Sequence, residues 1–196
     1  TRRQTMDYLT KQFSIDRRQA ARVERLAKSL LPQVAPKLGV ERDFAQQVLV
    51  AAARLHELGL AISHSGYHKH GAYVLENADM PGFSRREQKM LSFLVLNQRR
   101  KLRAPEVSSY SFRADWALVL VLRLATLFNR MRIDQRMPAI RLAPARKGWT
   151  IELPANWLRK HPLVEEDLRA ENEFLAAIGY TLSLHDALPI SEERRV

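Results

Sequence analysis

Cysteine is absent from the 196 residues of this chain. Its absence excludes disulfide bonds and thiolate metal sites, and makes a reducing, cytoplasmic setting the default expectation. Long apolar runs are also lacking: the longest, Trp116 to Leu122, is too short to cross a bilayer. Neither an initiator methionine nor a signal-peptide pattern opens the chain, so we expect a piece of a longer protein without a membrane span.

Acidic residues are few relative to basic ones. The chain has 21 Asp and Glu against 32 Lys and Arg, a formal net charge of +11. This imbalance favours a polyanionic partner. Aromatic side chains are sparse among the basic residues, which weakens, without excluding, a nucleic-acid-binding module that stacks bases.

Apolar residues recur at helical spacing through the first two-thirds of the chain. Asp16 and Ser84 are placed to cap helices. The last helical pattern is the most apolar, which places it at the centre of the core. The predicted helices run from Thr5 to Phe13, from Asp16 to about Gly39, from Glu41 to Leu58, from His68 to Asn77, from Ser84 to Asn97 and from Ser111 to Met131.

The period changes from helical to alternating near residue 135. Residues 139–142 and 149–153 alternate on either side of Ala145 to Gly148, which predicts a β-hairpin, and an amphipathic helix follows over residues 163–178. We therefore predict a mainly α protein. A helical domain occupies residues 1–134, and a small α+β lobe with a β-hairpin occupies residues 135–180.

The last sixteen residues differ in character from the helix before them. Residues 180–190 equal one reading frame of a common sequencing adapter, and residues 191–196 equal the reverse complement of that adapter's end. We interpret residues 181–196 as a non-native tail and expect the genuine protein to continue past Tyr180. A genuine C-terminal extension is the alternative.

His56-Glu57 at a helix end suggests an HD-type metal site, with Glu in place of Asp. In the HD phosphohydrolase fold, a further His and a distant Asp complete the ligand set. Here Gln19 and Thr126 occupy those two positions. Both are poor metal ligands, so the sequence predicts a degenerate HD-like domain without a metal. An autonomous HD-type metal-dependent phosphohydrolase stays as an alternative, and His56 alone fits a core histidine.

Two basic segments are candidates for binding phosphate. In Ser63 to His70, imidazoles, hydroxyls and a lysine lie at a predicted helix start, where donors favour phosphate oxygens. A second segment, Asn97 to Arg103, carries four cations at a helix end. Capping or core histidines and a solvated helix terminus are the plainer interpretations. The candidate phosphate-binding residues are His64, His68, Lys69, His70, Arg99, Arg100 and Lys101.

The stretch HELGLAISHSGYHKHGAYVLENADMPGFSRREQKMLSFLV resembles the C-terminal region of the bacterial exopolyphosphatase / guanosine pentaphosphate phosphohydrolase family. QTMDYLTKQFSID, RLATLFN and WTIELPANWLRKHPLVEEDLRAENEFL extend the resemblance over most of the chain. The S-H-S-G-x-H-x-H core followed by D-M-P-G-F is the most specific part of this pattern.

The resemblance implies that catalysis and substrate binding are carried by different parts of the complete enzyme. The complete enzyme would remove terminal phosphates from inorganic polyphosphate, or convert pppGpp to ppGpp. Its two actin-like lobes, with their magnesium-dependent catalytic site, precede this region. This piece would then carry no catalytic residues and would bind polyphosphate, or another polyanion, and support a cytoplasmic homodimer.

Overall fold

A computed structural model describes residues 1–104 and 114–187 of the chain. Their elements fall into two compact units, Thr1–Arg132 and Ile133–Val196. The first is helical and the second contains a three-stranded sheet, so the predicted mainly α fold with a small β-containing lobe is confirmed. The chain order is α1 (Arg2–Gln12), α2 (Arg17–Val34), α3 (Arg42–Leu55), α4 (Tyr67–Asn77), α5 (Arg85–Leu96), α6 (Trp116–Leu127), β1 (Arg141–Ala145), β2 (Gly148–Pro154), α7 (Ala155–Lys160), α8 (Pro162–Ala176) and β3 (Thr181–Ala187).

The helix starts follow local capping chemistry. The Asp16 side chain accepts hydrogen bonds from the backbone N–H groups of Arg18 and Gln19, each at 3.1 Å. At α5, Ser84 caps the helix as the sequence predicts, and Glu87 completes a reciprocal capping box. These caps satisfy backbone donors that the first helical turn leaves without partners.

The structure corrects the predicted boundaries of helices α2 and α6. Helix α2 ends at Val34, before the predicted end at about Gly39, and a 3-10 turn follows over Ala35–Lys37, because Pro36 has no N–H to continue the helical hydrogen bonds. Helix α6 begins after Asp115, whose carboxylate accepts the Leu118 N–H at 3.3 Å. The part of that predicted helix within residues 105–113 lies outside the described residues.

Helix α6 lies in the core of the first unit. It packs against α2, α3 and α5, and nearly all of its residues are buried. Helix α4 packs against α5 and against a 3-10 turn at Leu58–Ala61. The core so formed fixes the ends of α3 and α5 relative to the start of α4, where the candidate site lies. No helix in the described parts of the chain is long and apolar enough to span a membrane.

The second unit is built around β2, the central strand. Strands β1 and β2 form the predicted antiparallel hairpin, with Arg141 opposite Glu152 and Ala145 opposite Gly148. Strand β3 lies parallel to β2, after the connection through α7 and α8. Trp149, Ile151 and Leu153 alternate into the core, as their period predicts.

Strand β3 falls within residues 181–196, the predicted translation of a sequencing adapter. Its Thr-Leu-Ser-Leu start alternates in polarity, and Leu182 is buried. A period of two is sufficient for such a segment to pair with a free strand edge. The non-native origin of residues 181–196 stays a prediction, and residues 188–196 lie outside the described residues.

Candidate anion-binding site

Glycine at two positions allows the backbone to form this site. A Cβ on Gly59 would lie 1.9 Å from the Tyr67 carbonyl oxygen and 2.8 Å from the Gly71 nitrogen, so only glycine lets the 3-10 turn approach α4 this closely. Gly66 caps α4 with a left-handed φ of 66°. Together they fix the segment from His64 to Gly66 at the start of α4.

This segment faces the chain that leaves α5, and the two border a cavity of about 480 Å³. Five of the lining side chains are Lys or Arg, and none of the lining residues carries a carboxylate. Such a concentration of one charge attracts anions and raises their local concentration. The lining residues are His64, Ser65, Gly66, His68, Lys69, Arg99, Arg100, Lys101 and Arg103.

An aromatic ring supports one of the cations. The guanidinium carbon of Arg99 lies 4.4 Å from the centre of the Tyr67 ring, a cation–π contact that stabilises by about 1 kcal/mol. The ring of His64 lies 5.9 Å from the same Tyr67 ring. Burial raises the pKa of Tyr67, so its hydroxyl stays neutral at physiological pH. Tyr67 therefore acts as a neutral platform that orients Arg99.

His68 is the most buried of the lining histidines, with 6% of its surface exposed. Its Nδ1 has no hydrogen-bond partner among the described residues. Burial, and then the neighbouring charges of Arg99, Lys69, Arg103 and Arg100, lower the pKa of His68 to about 4. The imidazole is therefore neutral at pH 7.

Six of the seven candidate residues from the sequence line this one cavity, although they come from segments about thirty positions apart. The exception is His70, whose Nε2 lies 3.0 Å from the Ser65 carbonyl oxygen and so closes the turn before α4. Arg103 and Tyr67 were missed. Arg103 belongs to the same basic run, which was the available signal, whereas no sequence signal distinguished the Tyr67 platform.

The four degenerate HD positions lie apart from this cavity. His56 is buried, its Nδ1 lies 2.6 Å from the Ala53 carbonyl oxygen, and burial lowers its pKa. Both carboxylate oxygens of Glu57 accept hydrogen bonds from Arg132, at 2.7 and 3.0 Å. Arg132 also donates to Asp16 at 2.9 Å. A guanidinium thus engages the carboxylate that an HD-type metal would use.

Gln19 and Thr126 are likewise committed to protein contacts. The Gln19 amide donates to the Asn129 carbonyl oxygen at 2.8 Å and accepts from Arg22 at 3.0 Å. The Thr126 hydroxyl donates to the Arg123 carbonyl oxygen at 2.8 Å. Among residues 1–104 and 114–187, no three His, Asp or Glu side chains converge to hold an ion. The described residues therefore offer no cluster for the magnesium that the resemblance implies for the whole enzyme.

Comparison with known proteins identifies the family. The family model described as Ppx/GppA phosphatase, domain III, matches residues 1–172. The chain belongs to the Ppx/GppA phosphatase family. The cavity, the α6 core and the β-hairpin all fall within the region that this family model matches.

Curated relatives agree with this membership. The chain is 34% identical over 186 residues to the guanosine-5'-triphosphate,3'-diphosphate pyrophosphatase of Pseudoalteromonas atlantica, and 31% identical over 183 residues to that of Pseudoalteromonas translucida. These matches cover 93% and 92% of this chain but only 37% of each relative. The chain thus spans little more than a third of the length of these Ppx/GppA relatives.

Proposed function

We propose that this chain is the C-terminal part of an exopolyphosphatase of the Ppx/GppA family, and that it binds a run of phosphates in the cavity between the start of α4 and the end of α5. The observation that carries the proposal is the convergence of Lys69, Arg99, Arg100, Lys101 and Arg103 around one cavity. Family membership supports a phosphorylated substrate.

The chemistry of the cavity suits linked phosphates. Guanidinium groups bind phosphate oxygens through paired N–H donors, and Lys supplies a mobile point charge. The Ser65 hydroxyl adds a further donor to the lining. Several such contacts keep a long chain attached while single phosphates exchange, because each contact that breaks is remade at high effective concentration.

Hydrolysis is a proposal for the whole protein. In it, terminal phosphates of the bound chain would be cleaved in the preceding actin-like lobes with the help of magnesium. The names of both relatives point to guanosine pentaphosphate as a second substrate with the same phosphoanhydride chemistry. We further propose a cytoplasmic homodimer for the full-length protein. Sedimentation equilibrium of that protein tests the dimer, and a monomer at micromolar concentration would count against it.

Binding to this chain tests the proposed site directly. We expect long-chain polyphosphate to bind, and the triple variant Arg99→Gln/Arg100→Gln/Lys101→Gln to bind at least about a hundredfold more weakly, because each lost charge-assisted contact costs about 1.5 kcal/mol or more. Isothermal titration calorimetry provides the measurement.

Controls separate the cavity from the overall charge. The variant Arg17→Gln/Arg25→Gln/Arg42→Gln removes three cations that do not line the cavity, and we expect it to bind nearly as well as the wild type. Equal losses in both triple variants would overturn the proposed site. Titration with guanosine pentaphosphate shows whether the chain binds this nucleotide or polyphosphate more tightly. If an RNA of equal charge binds more tightly than polyphosphate, the result would favour a nucleic-acid-binding module instead.

A further inference from the structure

Arg123 is a charged residue inside the most apolar helix of the chain. It lies in the middle of α6, among Leu120, Val121, Leu122 and Leu124, and only 1% of its surface is exposed. Burying a guanidinium costs several kcal/mol unless its donors are hydrogen-bonded. A long apolar side chain such as methionine would avoid that cost, so the charge needs an explanation beyond packing.

The guanidinium holds the chain that carries the cavity's cations. Its Nη1 donates to the Asn97 carbonyl oxygen at 2.7 Å, and its Nη2 donates to the Arg100 carbonyl oxygen at 2.9 Å. The segment from Asn97 to Arg103 supplies four of the five cations that line the cavity. One buried side chain therefore fixes both the start and the middle of this basic segment.

The side-chain amides of Asn97 and Gln98 add further hydrogen bonds that hold the basic segment. The Asn97 side-chain oxygen accepts the Arg103 N–H at 2.6 Å, so the segment is also tied at its far end. The Gln98 amide donates to the His56 carbonyl oxygen at 2.6 Å. Asn97, Gln98 and Arg123 are all buried, so these bonds are partly or fully shielded from water.

The hydrogen bond from Arg123 holds a strained backbone conformation at Arg100. Arg100 has a φ of 62°, a left-handed conformation that costs a non-glycine residue about 1 kcal/mol. Its carbonyl oxygen is the one that Arg123 Nη2 holds. Because the C=O and N–H of a trans peptide point in opposite directions, turning this carbonyl inward turns the Lys101 N–H away from the core. The strained turn thus directs a backbone donor, as well as side chains, outward.

We infer that Arg123 is a positioning residue for anion binding: by holding the Asn97 and Arg100 carbonyls, it sets the cations of residues 99–103 around the cavity before the ligand arrives. This inference rests on the proposed function. Such preorganisation matters because a flexible basic segment would lose conformational entropy on binding and would bind a short phosphate chain more weakly.

Two substitutions at Arg123 separate positioning from charge. Arg123→Lys keeps the positive charge but cannot span both carbonyls with one planar fork, whereas Arg123→Met removes the charge and the donors. We expect both variants to bind tripolyphosphate at least about tenfold more weakly, since each loses at least one hydrogen bond to the segment. The matched control is Arg54→Met, which removes one cation from α3 outside the cavity lining, with no expected loss.

Hydrogen exchange of the free protein provides the second readout. The Arg103 amide, held by Asn97, should exchange faster in both Arg123 variants, while amides at the centre of α3 keep their protection. If Arg123→Met does not fold, Asn97→Ala removes the Arg103 acceptor and should give the same faster exchange and the same weaker binding.

Outcomes of this experiment distinguish the inference from the proposed function. If the folded Lys variant binds tripolyphosphate like the wild type and keeps its Arg103 protection, Arg123 acts only through its charge and the inference is overturned. If the wild type itself does not bind polyphosphate, the proposed function fails. The exchange rates of the free protein then still decide whether Arg123 holds the segment.

Discussion

At the scale of single residues, His68 has an environment that links anion binding to protons. It is buried at the cavity, beside Lys69 on its own helix and beside Arg99, Arg100 and Arg103 from the segment after α5. Burial and these four cations lower its pKa to about 4, so the free protein holds a neutral imidazole above that pH. A bound polyanion would offset the cations and favour the protonated form.

We therefore predict that affinity for long-chain polyphosphate rises as the pH falls from 7 to 5. Binding raises the pKa of His68 from about 4 toward its ordinary value, so the complex takes up a proton that the free protein does not hold. For a single proton the gain is at most about tenfold per pH unit. Calorimetric titrations at several pH values measure it, and long chains are used because their internal phosphates stay ionised.

His68→Gln should flatten this pH dependence, since glutamine has no charged form. His64→Gln serves as the matched control, because it removes a lining imidazole that is exposed in the free protein. The prediction is wrong if wild-type affinity is constant from pH 7 to pH 5, or if the slope survives in His68→Gln and disappears in His64→Gln.

At the scale of elements, Arg132 joins the starts and ends of helices distant in sequence. It bonds Glu57, just beyond α3, and Asp16, the N-cap of α2, while its own carbonyl oxygen accepts from Arg22 at 3.0 Å. The hydrogen bonds that Arg132 donates to Glu57 and Asp16 raise the pKa of Arg132 further above its usual range. Like Arg100, Arg132 has a left-handed φ, here 56°, and a carbonyl held by an arginine. The guanidinium thus supplies positive charge beside Glu57, the carboxylate that the sequence aligns with an HD-type metal ligand.

Arg132→Met should lower the free energy of unfolding by about 2–3 kcal/mol, because it leaves the largely buried Glu57 carboxylate without its counter-charge. Urea unfolding followed by circular dichroism provides the measurement. The double variant Arg132→Met/Glu57→Leu should recover much of this loss, since no uncompensated buried charge is left.

Arg169→Met is the matched control for this prediction. It breaks the exposed pair between Arg169 and Glu165 on α8, at 2.9 Å, which is expected to contribute only about 0.3–0.5 kcal/mol. Equal effects of the two single substitutions would show that Arg132 stabilises no more than a surface ion pair, and would contradict this prediction.

Secondary structure was largely predictable, whereas the assembly of the site was not. The Ser84–Glu87 capping box and the alternation of Trp149, Ile151 and Leu153 depend on residues a few positions apart, so the sequence predicts them directly. The end of α2 is predicted too late, at about Gly39, because the apolar spacing does not show that the chain tightens into a 3-10 turn at Ala35–Lys37. The Tyr67 platform had no local signal at all.

At the scale of the whole molecule, the chain carries an overall positive charge and, in addition, a cluster of cations around the cavity. The net charge of +11 would attract any polyanion weakly. The five cations around the cavity would instead make simultaneous contacts with one chain of phosphates. Salt dependence distinguishes these two contributions, because each phosphate contact releases bound counterions.

We predict that the logarithm of the polyphosphate affinity falls with the logarithm of salt concentration with a slope of about −4, as expected for about five phosphate contacts. In Arg99→Gln/Arg100→Gln/Lys101→Gln the slope should shrink to about −1.5. Titrations between low and moderate salt measure both slopes. An unchanged slope in this triple variant would mean that the general charge, rather than the cavity, binds the phosphates.

The sequence by itself determined the helical character, the main helix caps, the hairpin and the family of this protein, because each of these depends on short-range patterns. Only the tertiary structure decided which segments meet. It placed Lys69 beside Arg99, put Arg123 beneath Asn97 and Arg100, and paired Glu57 with Arg132, 75 positions away. The periodicity of apolar residues predicts which face of a helix is buried, but it does not predict which other helices pack against that face. The basic cavity therefore arises from helix packing, which brings two separately unremarkable basic segments to one place.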